Sequence, residues 1–429
     1  MCCRRMTVLI LVLAMLFCAG TSAARVTLTM QVRSGPEGDA SRKLVELWNQ
    51  TKAKDAGFEV EQVDTTRSGY YTSVNNALFS GAPKPDIFLS YSNFTALYAT
   101  NNLVVDLTDR FNDPTKYPYD KKDWYPVALE LAQYKGRLYA LPTDTNTYLL
   151  YYRKDLISKP PETWEELYEV AKQFTAKYNP KSPTKYGITF YGIRDESLAM
   201  FWFQIFKSYG GEFFDDKGNP TLNSPAGVTA LSWVARVVKE GLVPPDITTY
   251  EYSQVYSALQ SGQVAMGINW DAAYPGLMDP KESPLVAGKM AAALLPGVKG
   301  PDGRIRRAHN VHDLYFVINK NSAHIDEAFQ FIAWATSSPE ALRAYTEAGC
   351  SPPHFSIAND PEILKKFPSF ALKQEAIVKY GYIEPHVPEW PELKDKLLSY
   401  LVKGWVGQLS PKDALDQACA EIARALGKK

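Results

Sequence analysis

"YALPTDTNTYLLYYRKDL", residues 139–156, holds two strand-like runs separated by Asp144, Asn146 and Thr147. Polar residues in such a place serve a turn when both runs belong to one body. They mark a crossing when each run belongs to a different one, and local pattern leaves the two readings open. On the amino-terminal side, "RVTLTMQV" (25–32) puts Val26, Leu28, Met30 and Val32 on one face, the period of a strand. "DASRKLVELWNQ" (39–50) repeats Ala40, Leu44, Leu47 and Trp48 at helical spacing, "FEVEQV" reads as a strand, "YYTSVNNALFSG" as a helix stopped by Gly81, and "KPDIFLS" as a third strand. On the carboxyl-terminal side a second alternating series begins. Thr163 and Glu166 in "PPETWEELYEVAKQF" have capping-box spacing. The helices "LAMFWFQIFKSYGG" and "SPAGVTALSWVARVVKEG" follow, then the apolar strands "VAMGI", "MAAALLP" and "LYFVIN", then a helical final third. Alternation on both sides predicts βαβ units and mainly parallel sheets, and 429 residues exceed what one core usually serves.

The bulk numbers narrow the function. The 47 basic residues balance the 47 acidic ones, so no net field favours nucleic acid or an anionic membrane surface. The 26 Tyr, 19 Phe and 9 Trp suit thick cores or a ring-lined ligand cleft equally. "MCCRRMTVLILVLAMLFCAGTSAARV" has two arginines, a short apolar run and small residues at Ala23 and Ala24, the pattern of a secretory leader spanning 1–23. A lipid-anchored form through Cys18 is disfavoured by the bulky Phe17 before it. Cys350 and Cys419 remain beyond the leader, and spacing alone leaves their pairing open. The five histidines show no metal-ligand spacing, and no cofactor motif is present.

Five segments in order carry a resemblance over nearly the whole chain beyond the leader: "FSGAPKPDIFL", "YKGRLYALPTDTNTYLLYYRKDL", "PPETWEELYEVAKQF", "LQSGQVAMGINW" and "LYFVINKNSAHIDEAFQFIAWATSSPEALRAYTEAG". Together they resemble the extracellular solute-binding proteins of ABC importers, the group that includes maltodextrin- and glycerol-3-phosphate-binding proteins. The resemblance implies a two-lobed periplasmic-binding-protein fold of type II, each lobe a mainly parallel sheet flanked by helices. Residues 24–143 plus 296–337 would form the first lobe and 147–292 plus 340–429 the second, with crossings at 143–147, 293–296 and 336–339. It implies an exported, periplasmic or extracellular monomer that takes a sugar or oligosaccharide in the interlobe cleft and delivers it to a membrane permease. A polyol, a glycerol phosphate held by Arg33 and Arg67, or a sensory role are the alternatives.

Sugar rings present C–H faces and a rim of hydroxyls, so a fitting site combines aromatic planes with carboxylates and amides, placed in loops beyond the carboxyl ends of strands. The candidates are Ser34 and Glu37 after the first strand, and Tyr91, Ser92 and Asn93 after the third. Asp144, Asn146 and Thr147 occupy the first crossing, and Asp195, Ser197 and Trp202 come from the second lobe. "GINWDAAY" (267–274) ends a strand in Trp270 and Asp271, where similar proteins place an aromatic platform, although Asp271 would also start a helix well. His312 and Asp313 in "RRAHNVHDL" and Trp390 in "VPEWPEL" complete the set. Trp202 sits among Phe201, Phe203 and Phe206, which predicts core as readily as site. A secreted glycosidase is the enzymatic rival. It needs two carboxyls about 5 to 10 Å apart, and the adjacent Asp215 and Asp216 in "FFDDKGNP" read better as a solvated turn.

Overall fold

A computed structural model describes residues 25–428, without the side chains of Arg67 and Ser68. The expected leader and its three cysteines lie outside the described residues.

Two sheets organise the chain. Its principal strands are β1 (Val26–Arg33), β2 (Phe58–Thr65), β3 (Ile87–Tyr91), β4 (Leu141–Asn146), β5 (Tyr148–Arg153), β6 (Tyr186–Thr189), β7 (Val264–Trp270), β8 (Met290–Ala293), β9 (His309–Asn310), β10 (His312–Ile318) and β11 (Gly381–Tyr382). The first sheet has the order β2-β1-β3-β10-β4 and the second β8-β5-β7-β6. The expectation of mainly parallel sheets is corrected: β1 runs parallel to β2 and β3, but β10 is antiparallel to β3 and β4. In the second sheet only β6 and β7 are parallel. In each sheet one interior strand is reversed, β10 in the first and β5 in the second, and each is the strand by which the chain enters that sheet from the other.

The helices used below are α1 (Pro36–Thr51), α2 (Trp164–Gln173), α3 (Glu196–Ser208), α4 (Pro225–Lys239), α5 (Ile325–Ser337), α6 (Pro339–Glu347), α7 (Ser369–Tyr380), α8 (Trp390–Trp405) and α9 (Pro411–Ala425). Local chemistry explains their ends. The α2 capping box forms as its spacing predicts, Glu166 N–H donating to Thr163 Oγ1 at 3.1 Å and Thr163 N–H to Glu166 Oε2 at 3.4 Å. α1 opens on Pro36, and a Cβ at Gly38 would stand 2.4 Å from the Arg33 carbonyl oxygen, so only glycine lets the helix turn so sharply off β1.

Each sheet has its own core. Leu28, Met30, Val32, Phe88, Tyr315 and Phe331 belong to the first, and Leu149, Ile188, Trp202, Phe203, Met266, Trp390 and Leu397 to the second. Cys350 lies in the first core and Cys419 in the second; both are buried free thiols, pushed up by burial.

Two of the expected crossings do not fit these cores. Residues 297–307 pack on the second side: Gly297 N–H donates to Glu162 O at 2.8 Å, Trp164 N–H to Gly297 O at 3.2 Å, and the Arg307 guanidinium to Leu295 O. Beyond 339, Ala341, Tyr345, Cys350, Ala358 and Ile377 belong to the first core, and the second resumes at Trp390. Pro296 leads into the bridge between Gly297 and Thr163, and Pro339 starts α6. Proline marks where an element begins, not where a chain changes core. Among the described residues no helix is long and apolar enough to cross a membrane.

Candidate functional site

The seam between the sheets is built by register. β4 ends at Asn146 and β5 begins at Tyr148, so the chain changes sheet across Thr147 alone. His312 pairs with Asn146 and Trp270 with Tyr148, which brings the imidazole and the indole to one line with ring centroids 5.5 Å apart. The loops after β1 and β3, the start of α3, the end of β7, the segment after β11 and the first turns of α8 converge there.

The first lobe contributes an aromatic wall carrying charge. Arg33 pairs with Glu37, both largely buried, and lays its guanidinium carbon 4.7 Å from the centre of the Tyr91 ring. Tyr91 also meets Tyr71 at 5.0 Å and His312 at 4.7 Å. The second lobe contributes Trp270, half-buried, with its centroid 4.1 Å from that of Tyr148. Tyr148 donates its hydroxyl to Ser197 O at 3.2 Å. Lys394, only 4% exposed, stands 3.0 Å from Glu384 and 3.6 Å from Glu196, and Trp390 Nε1 donates to Glu384 at 2.6 Å. Burial pulls the Lys394 ammonium down, but the two carboxylates outweigh it and hold its pKa above the usual value. Burial and the nearby Lys394 drive His312 down to about 3, so its imidazole is neutral at physiological pH.

Asn93 of the first lobe donates to Glu196 of the second at 3.2 Å, a direct bond across the seam. Four buried polar atoms around it have no protein partner: Arg33 Nε, Tyr71 Oη, Asn93 Oδ1 and Tyr382 Oη. Buried polar groups in folded proteins are almost always hydrogen-bonded, so this cluster is suited to a polar guest.

The residues expected from sequence fall into three groups. Glu37, Tyr91, Asn93, Ser197, Trp270 and His312 are brought together around the seam. Ser34 is exposed and donates to Thr65 O at 3.2 Å, and Ser92 is buried. Asp195 caps α3, accepting from Ser197 N–H at 2.8 Å and Leu198 N–H at 3.4 Å, with burial pushing its carboxyl up to about 6.

The rest are corrections. Trp202 and Trp390 are each 1% exposed: Trp202 stacks on Phe206 at 5.0 Å, and Trp390 meets Phe213 edge-on at 5.4 Å. The polar residues of the first crossing turn inward and serve the hinge itself. Asp144 accepts from Ser351 N–H at 2.8 Å and from Asn146 Nδ2 at 3.2 Å, while Thr147 N–H donates to Asp271 Oδ1 at 3.1 Å. Asp271 makes no helix cap; its other oxygen faces the buried Lys373 at 3.4 Å. Lys373 also donates to Thr145 O at 2.8 Å and to the Ser351 hydroxyl. Asp313 is wholly buried in the same cluster, pushed up to about 7 by burial, with Asp144 at about 6 for the same reason. A crossing that changes sheet leaves backbone groups without strand partners, and these side chains satisfy several of them.

Sequence reasoning passed over Tyr71, Tyr148, Glu196, Tyr382, Glu384 and Lys394. Glu196 was in plain view beside Asp195, in the first turn of a helix whose cap faces the seam. Tyr71, Tyr148, Tyr382 and Lys394 sit in ordinary strands and helices, and Glu384 in the irregular segment before α8. A separate groove of about 830 Å³ on the first lobe, lined by residues including Tyr119, Asp123, Arg343 and His354, shares no residue with the seam, and its Arg343 is paired with Asp360 and Glu362.

The bacterial extracellular solute-binding protein family matches residues 34–341. A probable ABC transporter-binding protein of Deinococcus radiodurans is 28% identical, with 98% of each chain covered. The maltotriose-binding protein of Pyrococcus abyssi is 27% identical over 74% of this chain and 65% of its own. Among solved structures, maltose-bound MalE3 of T. maritima superposes with a TM-score of 0.80 at 26% identity, covering 93% of this chain and 100% of that one. A ribitol-bound ABC transporter solute binding protein of Agrobacterium radiobacter K84 gives 0.80 at 28% identity, covering 93% and 98%.

Proposed function

We propose that this chain, which belongs to the bacterial extracellular solute-binding proteins and is the solute-binding component of an ABC transporter, captures a sugar, an oligosaccharide or a polyol at the seam between its lobes. The observation that carries this reading is the set of unpartnered polar atoms around Trp270, from the first lobe and from the segment that joins it to the second. Arg33 Nε and Asn93 Oδ1 come from one side and Tyr382 Oη from beyond the seam, and a compound with many hydroxyls can both donate to and accept from such a set. The half-buried indole supplies the plane against which a C–H face would lie. Maltose and ribitol, bound by the two structural relatives, belong to this chemical class.

The lobes are assigned as 25–146 with 312–380 and 148–310 with 390–428. The hinges lie at Thr147, at Val311 and between Tyr382 and Trp390. Ligand favours closure through contacts that exist only when both lobes touch it, and the Asn93–Glu196 bond belongs to that closed state. The protein works as an exported monomer freed of residues 1–23, hands its ligand to the permease unchanged, and turns nothing over.

Thermal-shift measurements with maltose, maltotriose, ribitol and mannitol test this, because a ligand bound only by the folded state raises apparent stability. Trp270→Ala abolishes the shift and lowers the unliganded melting temperature less than loss of a fully buried ring would, since this one is only partly buried. No shift with any sugar or polyol, or hydrolysis of an oligosaccharide in the same samples, would refute the reading.

A further inference from the structure

The described charges around the seam do not balance. Arg33 and Glu37 form one internal pair. Lys394 is shared by Glu384 and Glu196, so among the described residues one carboxylate charge is left over. His312 adds none, being neutral. Asp195 stands behind Glu196 at the cap of α3 and deepens the acidic side, its charge partly met by two helix N–H groups. The Arg67 side chain, the other cation considered for a phosphate, lies outside the described residues. Glu196 is the carboxylate with most solvent, 40% exposed, and it stands at the point where Asn93 reaches across from the first lobe.

The unpartnered atoms point the same way. Arg33 Nε is a donor only and Asn93 Oδ1 an acceptor only, while the Tyr71 and Tyr382 hydroxyls can do either. An alcohol or an amine can satisfy an acceptor such as Asn93 Oδ1. An ionised phosphate or carboxylate has only acceptor oxygens toward it, and would also lie beside the Glu196 and Glu384 charges once closure has removed water. A guest carrying an amine would instead find a carboxylate without a full counter-charge.

We propose that Glu196, held by Lys394 and backed by Glu384, makes the cleft a charge filter that admits neutral and amine-bearing polyhydroxy compounds and rejects phosphorylated or carboxylated ones. This rests on the reading of the seam as a sugar or polyol site and narrows it, removing glycerol phosphates from the ligand class. Juxtaposed like charges in a closed site weaken binding by at least ~100-fold.

Calorimetric titration with mannitol, maltose, glucosamine, glycerol 3-phosphate, mannitol 1-phosphate and glucuronate tests the filter on wild type and on Glu196→Gln. The expected result is measurable binding of a neutral or amine-bearing compound, with each anion at least ~100-fold weaker, and a neutral-to-anion ratio that falls about tenfold in Glu196→Gln whatever the absolute affinities. Glu384→Gln, read by the same ratio, guards against a folding defect in the first variant. An anion that binds within tenfold of its neutral counterpart, or a ratio unchanged in both variants, overturns the filter and leaves the sugar reading standing. Binding of glycerol 3-phosphate with no neutral or amine-bearing compound bound overturns both, and silence from all six removes the sugar reading and this inference with it.

Discussion

Replacing Lys373 by Met should be among the most damaging single changes outside the apolar cores. Its ammonium is 2% exposed, faces Asp271 at 3.4 Å and donates to Thr145 O at 2.8 Å. With an effective dielectric of ~20, two unit charges at that separation attract by about 5 kcal/mol. Desolvation cancels much of that gain in the intact protein, but removing only the cation leaves Asp271 buried with its neighbours Asp144 and Asp313, and breaking a buried pair in this way costs roughly 3–5 kcal/mol. The loss depends on pH in a fixed direction. Asp144, at about 6, and Asp313, at about 7, both titrate above the ordinary carboxyl value because of burial. Groups whose folded pKa is raised stabilise fully below the unfolded value near 4 and lose that contribution as pH rises through the folded value. Removing the cation raises these folded pKa values further, so the variant suffers more at pH 8 than at pH 5, where the carboxyls take up protons. Urea unfolding followed by tryptophan fluorescence at both pH values measures this. A loss under ~1 kcal/mol at pH 8, or a larger loss at pH 5 than at pH 8, would refute the reasoning.

Three further outcomes follow from the same contacts. Asp313→Asn removes a carboxyl that burial pushes from 3.8 to about 7, so it should stabilise the protein by roughly 2–4 kcal/mol at pH 8 and change little at pH 4, as denaturation at the two pH values would show. Trp390→Ala empties a site that is 1% exposed in the second core and should cost about 3–5 kcal/mol in chemical denaturation, well beyond the effect of Trp270→Ala; equal losses would contradict the different burial of the two rings. Cys350 and Cys419 are buried free thiols with raised pKa values, so Ellman's reagent should titrate neither in the native exported chain and both in denaturant. Prompt reaction of the native protein would show that one of the two cores opens.

Much of the fold was legible because it is written locally. The alternation of β1, the Thr163 and Glu166 capping box, and the run of apolar residues that buries α3 all depend on neighbours a few positions apart, where periodicity and capping act. Trp202 shows the limit of that legibility, since its aromatic neighbours marked it as core while its place in the helix after Asp195 and Ser197 kept it among the candidates. At the site, Trp270 and Tyr91 were visible as rings at strand ends, but the groups that give the seam its charge were not. Glu384 lies in the segment before α8 and Lys394 within it, and Lys394 meets Glu196 only after the chain has crossed between lobes.

The sequence by itself determined the order of strands and helices, the two-core plan and the family, because each rests on short-range pattern or on the succession of patterns along the chain. The tertiary structure alone decided where the chain changes lobe, which carboxylates serve the hinge and which face the seam. Asp271 and Glu196 are the same kind of group to a reader of sequence. One is spent on Thr147 and Lys373 and the other half-open beside Asn93, because the direction a side chain takes at a strand end or in a helix's first turn is set by long-range sheet register and lobe packing, which no local pattern encodes.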